Sequence, residues 1–160
     1  MSDRIRFPLL VLVVAACVAA RATGALGAVD RSDPHDAQRL AGPQTRIVGF
    51  ARHLLGVPYS YGGTTPRSGF DCSGFTRYVY EHFGVELPHY SAAQYQIGQR
   101  VPLSRLAPGD LLFFDGLGHV GLYLGGGRFI HAPHTGARVS VDALSGWYAG
   151  TYDGARRVLQ

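Results

Sequence analysis

Polar Met1 to Arg6 is followed by an unbroken apolar run from Phe7 to Ala20. That run falls short of the roughly 20 residues that span a bilayer, and small residues follow it. A basic start, a short apolar stretch and a small-residue exit are the parts of a secretory signal peptide, assigned to residues 1–28. Residues 29–43 are rich in Asp, Arg and Pro and read as a linker. Regular patterning begins at Gln44, so a single domain is expected over 44–160.

Within that domain, Ile47, Val48, Ala51, Leu54 and Leu55 recur at helical spacing, with Thr45 placed to cap the start and Gly56-Val57-Pro58 to end it. A loop dense in Tyr and Gly follows, from Pro58 to Phe70. Phe75, Val79 and Phe83 form one stripe of a helix predicted over Cys72 to Phe83, stopped by Gly84. A short helix is expected from Ser91 to Gly98, with Ser91 as N-cap and Gln94 as its capping-box partner.

Beyond Pro108-Gly109-Asp110 the periodicity changes to that of strands. Leu111 to Phe114 reads as a buried strand. His119 to Leu124 and Arg128 to His131 read as arms of a hairpin around Gly125-Gly126-Gly127, and further strands are expected at 138–141 and 152–159. Helices followed by a meander of strands predict an α+β fold, N-terminal helices packed on a mostly antiparallel β-sheet.

The 46% hydrophobic content can support a core. The net charge is +4, and all fifteen basic residues are arginines scattered without a run. That distribution reads as a solvated surface and gives no reason to expect nucleic acid as a partner.

The two cysteines change the picture more. Val14-Ala15-Ala16-Cys17 resembles a bacterial lipobox, in which Cys17 would carry a lipid anchor. The alternative is cleavage later, in the Ala/Gly-rich stretch 21–28. Either way Cys72 is left without a partner in the mature chain, in a compartment that ordinarily pairs its thiols.

Asp71 and Ser73-Gly74 set Cys72 at the start of a helix, where the dipole and free amides would lower a thiol pKa. With three glycines in the hairpin turn, Leu124 faces Arg128 and Gly121 faces His131. His119 and His131 are then diagonal neighbours on one face, about 7 Å apart or somewhat less at Cβ. That face is where a helix carrying Cys72 could pack. A thiol nucleophile needs a base, and the base needs an orienting partner; Cys72, His119 and His131 fill those roles in turn. Zinc is the rival for Cys and two His, but His131 and His134 lie three apart in a strand or loop and no second cysteine supports a site, so no metal and no cofactor are expected.

Asp71-Cys72-Ser73-Gly74-Phe75 stands with Pro58-Tyr59-Ser60-Tyr61-Gly62-Gly63, Pro108-Gly109-Asp110-Leu111, Gly118-His119-Val120-Gly121-Leu122-Tyr123-Leu124-Gly125 and Phe129-Ile130-His131-Ala132. In this order the motifs resemble the NlpC/p60 family of peptidoglycan endopeptidases. The resemblance implies a papain-like fold and a Cys72, His119, His131 triad. It also implies an oxyanion hole made by the Tyr59 hydroxyl and the Cys72 backbone amide. The expected substrates are peptidoglycan stem peptides, cut at D-γ-glutamyl-diaminopimelate or D-alanyl-diaminopimelate bonds by a monomer exported to the periplasm or cell envelope. Two departures from the family pattern concern substrate detail: His89 stands where many relatives have Arg, and the loop between Tyr59 and Cys72 is about a residue longer. A catalytically idle wall-binding module, or an amidase or acyltransferase on the same fold, are the alternatives.

Overall fold

The computed structural model describes residues 42–159. The segment 1–28 expected to direct export, with Cys17, and residues 29–41 of the expected linker lie outside the described residues.

Helix α1 is Pro43–Arg52. Thr45 does not cap it: Gly42 is the N-cap, without a side-chain cap bond, and Pro43 starts the first turn because its fixed φ and missing N–H suit that position. The Tyr/Gly loop contains two short strands absent from the sequence reading, β1 (Thr64–Thr65) and β2 (Gly69–Phe70). Helix α2 is Cys72–Glu81; it ends two residues early because His82 is the C-cap and Gly84 turns the chain at φ 76°.

The expected helix 91–98 shrinks to α3, Ser91–Gln94, capped by Tyr90. Ser91 and Gln94 do not form a capping box, because both side chains serve other partners. Ser91 Oγ donates to the Leu117 carbonyl at 2.6 Å. Gln94 is fully buried and donates to the carbonyls of Ser73 (3.0 Å) and Pro88 (2.8 Å), while its oxygen accepts from Thr76 (2.8 Å).

The remaining strands are β3 (Gln99–Val101), β4 (Leu111–Phe114), β5 (His119–Gly125), β6 (Arg128–His131), β7 (Ser140–Ala143) and β8 (Tyr152–Arg157), with α4 (Trp147–Gly150) before β8. They form a six-stranded sheet, β3-β8-β4-β5-β6-β7, antiparallel at every neighbouring pair. The α+β class with helices preceding an antiparallel sheet is therefore observed. β3 and α4 had no clear periodicity, and β7 starts two residues later than expected.

The hairpin β5–β6 turns on two glycines, not three. Leu122 pairs with Ile130 and Tyr123 with Phe129, but Arg128 pairs with Gly125 and not with Leu124. A bulge absorbs the extra residue, with Gly125 at φ 94° and the turn residues Gly126 and Gly127 at 61° and 69°. Because the slip lies outside Tyr123 and Phe129, the facing of the histidines is unaffected.

The packing of the two faces is the larger correction. Helix α2 sits on the even-numbered face: Phe75 and Val79 join Val120, Leu122 and Ile130, with Ile47 and Ala51 of α1, in one buried cluster. Each fully buried Phe, Leu or Ile there stabilises by about 1.5–3 kcal/mol. The odd-numbered face, expected to receive the helix, instead carries a second cluster of Leu112, Phe114, Tyr123, Phe129 and Ala155. Aliphatic surface attracts the apolar stripe of α2 more strongly than a face carrying imidazoles, so Cys72 reaches the start of β5 beside Gly118 and not the middle of the odd-numbered face.

Candidate active site

Asp71 begins the site. Its Oδ1 accepts the Gly74 N–H at 2.7 Å and the Ser73 hydroxyl at 3.2 Å, so it is the N-cap of α2; a cap of this kind is worth about 1 kcal/mol. Its Oδ2 accepts the Gly62 N–H at 2.9 Å, and the His89 ring approaches both oxygens through Nε2 at 2.9 and 2.8 Å. One buried carboxylate thus ties the Tyr/Gly loop, the start of α2 and the segment before α3 together. Gly74 has to be Gly, because a Cβ there would collide with the Gly63 carbonyl.

Cys72 is the first residue of α2 and a free thiol. Its Sγ lies 4.0 Å from the Gly118 carbonyl, at the start of β5. Burial pushes this thiol above its ordinary pKa; the backbone amides of Val120, Ser73 and Cys72 favour the thiolate and only partly offset that, while Asp71 adds to the rise. The expected lowering by the helix N-terminus is therefore overturned for the resting protein: desolvation outweighs the amides.

The two histidines form a chain that ends on a residue the sequence reading missed. His119 Nε2 lies 2.7 Å from His131 Nδ1, with the rings nearly perpendicular at 78°. His131 is completely buried, and its Nε2 lies 2.7 Å from Asp142 Oδ2. Burial first, and then the neighbouring histidines, push His119 down to about 3. His131 is lowered by burial although Asp142 pulls it up.

With both rings neutral, the proton positions follow from hydrogen-bond logic. An ionised Asp142 only accepts, so His131 Nε2–H donates to it. His131 Nδ1 is then a lone pair and accepts from His119 Nε2–H. That leaves His119 Nδ1 unprotonated, as a base. Asp142 sits on β7 where Phe129 pairs with Asp142 and His131 with Ser140, so it is the diagonal neighbour of His131. Polar residues alternating at 140 and 142 were the available signal, but only the β6–β7 register turns it into a contact.

His119 is presented by a tight turn in which Asp115 and Leu117 both adopt positive φ, 57° and 67°. Such a conformation costs a bulky residue like Leu117 on the order of 1 kcal/mol or more. The turn is held from two sides, by Asp153 accepting the Leu117 N–H at 2.8 Å and by Ser91 donating to the Leu117 carbonyl. Gly121 likewise admits the histidine pair: a Cβ there would lie 2.6 Å from Phe129 Cδ2 and 3.2 Å from His131 Cβ.

Cys72, Tyr59 and Gly118 border two lobes of one cleft. One, of about 430 Å³, continues past His119 to Asp115, His134, Trp147 and Tyr148. The other, of about 340 Å³, continues to Asp71, Ser73, His89, Tyr61 and Tyr90. Burial and the neighbouring Cys72 and Asp71 raise the Tyr59 pKa, so its hydroxyl stays a donor near neutrality. Tyr61 points into solvent at 90% exposure. His134, considered earlier as a zinc ligand, bonds through Nδ1 to the Thr135 carbonyl instead. Of the residues expected from sequence, Tyr59, Cys72 and His119 share the cleft and His131 stands directly behind His119.

The sequence model of the NlpC/P60 family matches residues 56–157. The chain is 44% identical over 104 residues to the probable endopeptidase p60 of Listeria monocytogenes, a match covering 63% of this chain and 21% of that protein. It is 41% identical over 120 residues to the gamma-DL-glutamyl hydrolase of Bacillus subtilis, covering 70% and 29%. With the murein DD-endopeptidase MepH of Escherichia coli it shares 40% over 114 residues, covering 66% and 42%. The chain thus spans between about a fifth and two fifths of the length of these relatives. Among solved structures, it superposes on an NlpC/P60 family protein of Bacillus cereus with a TM-score of 0.70 at 36% identity, covering 74% of this chain and 41% of that one. For the NlpC/p60 domain of the peptidoglycan hydrolase SagA the values are 0.66 and 41%, covering 72% and 99%. The matched stretch contains Tyr59, Cys72 and His119 of the cleft with His131 and Asp142 behind them, and the chain belongs to the NlpC/P60 family.

Proposed function

We propose that this protein is a cysteine peptidase of the bacterial cell wall, cutting peptide bonds in peptidoglycan stems or crosslinks. The observation that carries the reading is the unbroken chain from the cleft through His119 and His131 to Asp142, beside the one free thiol among the described residues.

In this reading His119 Nδ1 takes the Cys72 proton as the sulfur attacks the scissile carbonyl carbon. The tetrahedral oxyanion accepts from the Cys72 amide and the Tyr59 hydroxyl. His119, now an imidazolium supported by His131 and Asp142, gives its proton to the leaving amine as the C–N bond breaks. Water, deprotonated by His119, then hydrolyses the thioester and returns the thiol.

The matched relatives include both a gamma-DL-glutamyl hydrolase and a DD-endopeptidase. Mass spectrometry of products from digested sacculi names the bond. Cys72→Ala is expected to abolish turnover with the fold intact; retained turnover in that variant would overturn the mechanism.

A catalytically idle module is favoured by one observation, the raised Cys72 thiol, and turnover by the wild type excludes it. Residues 1–28 are proposed to export the chain and 29–43 to tether the domain 44–160. The lipid anchor at Cys17 is tested by radiolabelled palmitate incorporation in wild type and Cys17→Ala.

A further inference from the structure

Five large hydrophobic side chains are exposed among the described residues, and three of them, Tyr61, Tyr90 and Trp147, line the catalytic cleft. Tyr61 and Tyr90, exposed by 90% and 65%, both border the smaller lobe. Exposed aromatic surface gathered at a cleft marks a binding surface far more often than scattered exposure does.

Both tyrosines sit on backbone pinned to the same carboxylate. The residue after Tyr61, Gly62, donates its N–H to Asp71, and the residue before Tyr90, His89, meets Asp71 through its ring. The Tyr90 carbonyl is held in turn by the N–H groups of Ala93 and Gln94, at 3.1 and 3.0 Å. The two phenol rings therefore project from anchored segments, and little backbone entropy is lost when a ligand meets them.

The chemistry of the cleft says which end of a substrate they meet. His119 must protonate the leaving amine, so the leaving group occupies the lobe lined by His119. The acyl portion then lies in the lobe of Asp71, Ser73 and His89, whose polar groups are close to the nucleophile and whose aromatic rings are exposed at the rim. A ligand matching that order has a polar peptide followed by a ring with an apolar face and hydroxyls around it. A phenol ring, apolar in body and polar at its tip, suits such a partner.

Resting on the peptidase reading above, we propose that Tyr61 and Tyr90 form a sugar-binding subsite. It takes the amino sugar from which the stem peptide hangs, while that peptide is being cut. The subsite makes glycan-linked stems better substrates than free peptides. It also favours a bond close to the sugar, the D-γ-glutamyl-diaminopimelate bond, over the crosslink at the far end of a longer peptide.

Two measurements test this. The first compares kcat/KM on a disaccharide-linked stem peptide with that on the same peptide without sugar, for the wild type and Tyr61→Ala/Tyr90→Ala. The preference for the sugar-linked substrate is expected to fall about tenfold, through KM, and to be largely kept in Tyr61→Phe/Tyr90→Phe. An unchanged preference, or equal losses on both substrates, overturns the subsite. The second needs no turnover: Cys72→Ala protein is titrated with peptide-free glycan chains, with and without the two Tyr→Ala changes. Weakened binding in the tyrosine variant supports the subsite even if the wild type cleaves neither peptide, an outcome that would sink only the peptidase reading. Equal binding, or none, by both proteins overturns the subsite.

Discussion

Replacing Asp142 by Ala and by Asn should have different consequences, because the carboxylate does two things. It supports positive charge on the histidines, and it fixes which nitrogen of each ring holds the proton. A hydrogen bond to a charged group contributes about 1.5–3 kcal/mol. The Asp142 side chain is 44% exposed, so solvent screening puts it at the low end. About 1.5 kcal/mol corresponds to a loss on the order of tenfold in kcat for Asp142→Ala, with water replacing the carboxylate. Asn adds a further effect. Its amide can donate to His131 Nε2, which moves the His131 proton to Nδ1 and the His119 proton to its own Nδ1. The base is then blocked, so Asp142→Asn should be slower than Asp142→Ala despite closer size, with KM unchanged in both. Release of soluble fragments from labelled sacculi, read as kcat and KM across pH, checks this. Both variants within twofold of wild type would refute the relay. Equal losses in the two would refute the proton order while leaving the electrostatic support.

Three other outcomes are expected. His119 and His131 are both held below the ordinary imidazole value of about 6.5, so their contribution to stability is complete above that pH. It is lost as pH falls below 6.5, down toward about 3 for His119, with a slope of up to about 1.4 kcal/mol per pH unit for each group. Urea midpoints at pH 8, 6 and 4 test this, and a flat series counts against it. Gly121→Ala forces the Phe129 ring and His131 apart; overpacking of that kind costs about 1–3 kcal/mol and should lower activity more than stability, whereas wild-type urea midpoints and turnover would show that the face has slack. Alkylation of Cys72 by iodoacetamide in the empty enzyme should inflect above the ordinary thiol value of about 8.5. A reactive plateau at pH 5–6 would mean that a preformed thiolate–imidazolium pair exists after all.

The parts of the site legible in the sequence are those set by short-range geometry. Asp71 before Cys72 and Gly74 after it specify a capped helix start, and β-strand alternation alone puts His119 and His131 on one face. The bulge at Gly125 escaped that reading because a run of three glycines accommodates either register, yet the period of two kept the histidines together. Asp142 escaped it for a different reason: its contact depends on how residues 132–139 return the chain, and no local pattern encodes that register. The side of the sheet on which α2 packs was misjudged because both faces of β5 are apolar enough to be buried, one by aliphatic and one by aromatic side chains.

The direction of the Cys72 shift could not be read from the helix start either, and it bears most on mechanism. Burial moves Cys72 and His119 in opposite senses, the thiol up and the imidazole down to about 3. Both shifts oppose transfer of the proton from thiol to imidazole in the empty cleft, at about 1.4 kcal/mol for each unit by which the two values part. The resting thiol therefore stays protonated. Attraction between the opposite charges formed on transfer returns part of that cost in a partly buried site. A raised thiol in the empty cleft is therefore compatible with catalysis, provided the proton moves to His119 as the sulfur attacks. An idle module would share the high thiol value but would gain nothing from the His119, His131 and Asp142 chain, and so the activity of the Asp142 variants, more than the titration of Cys72, separates the two.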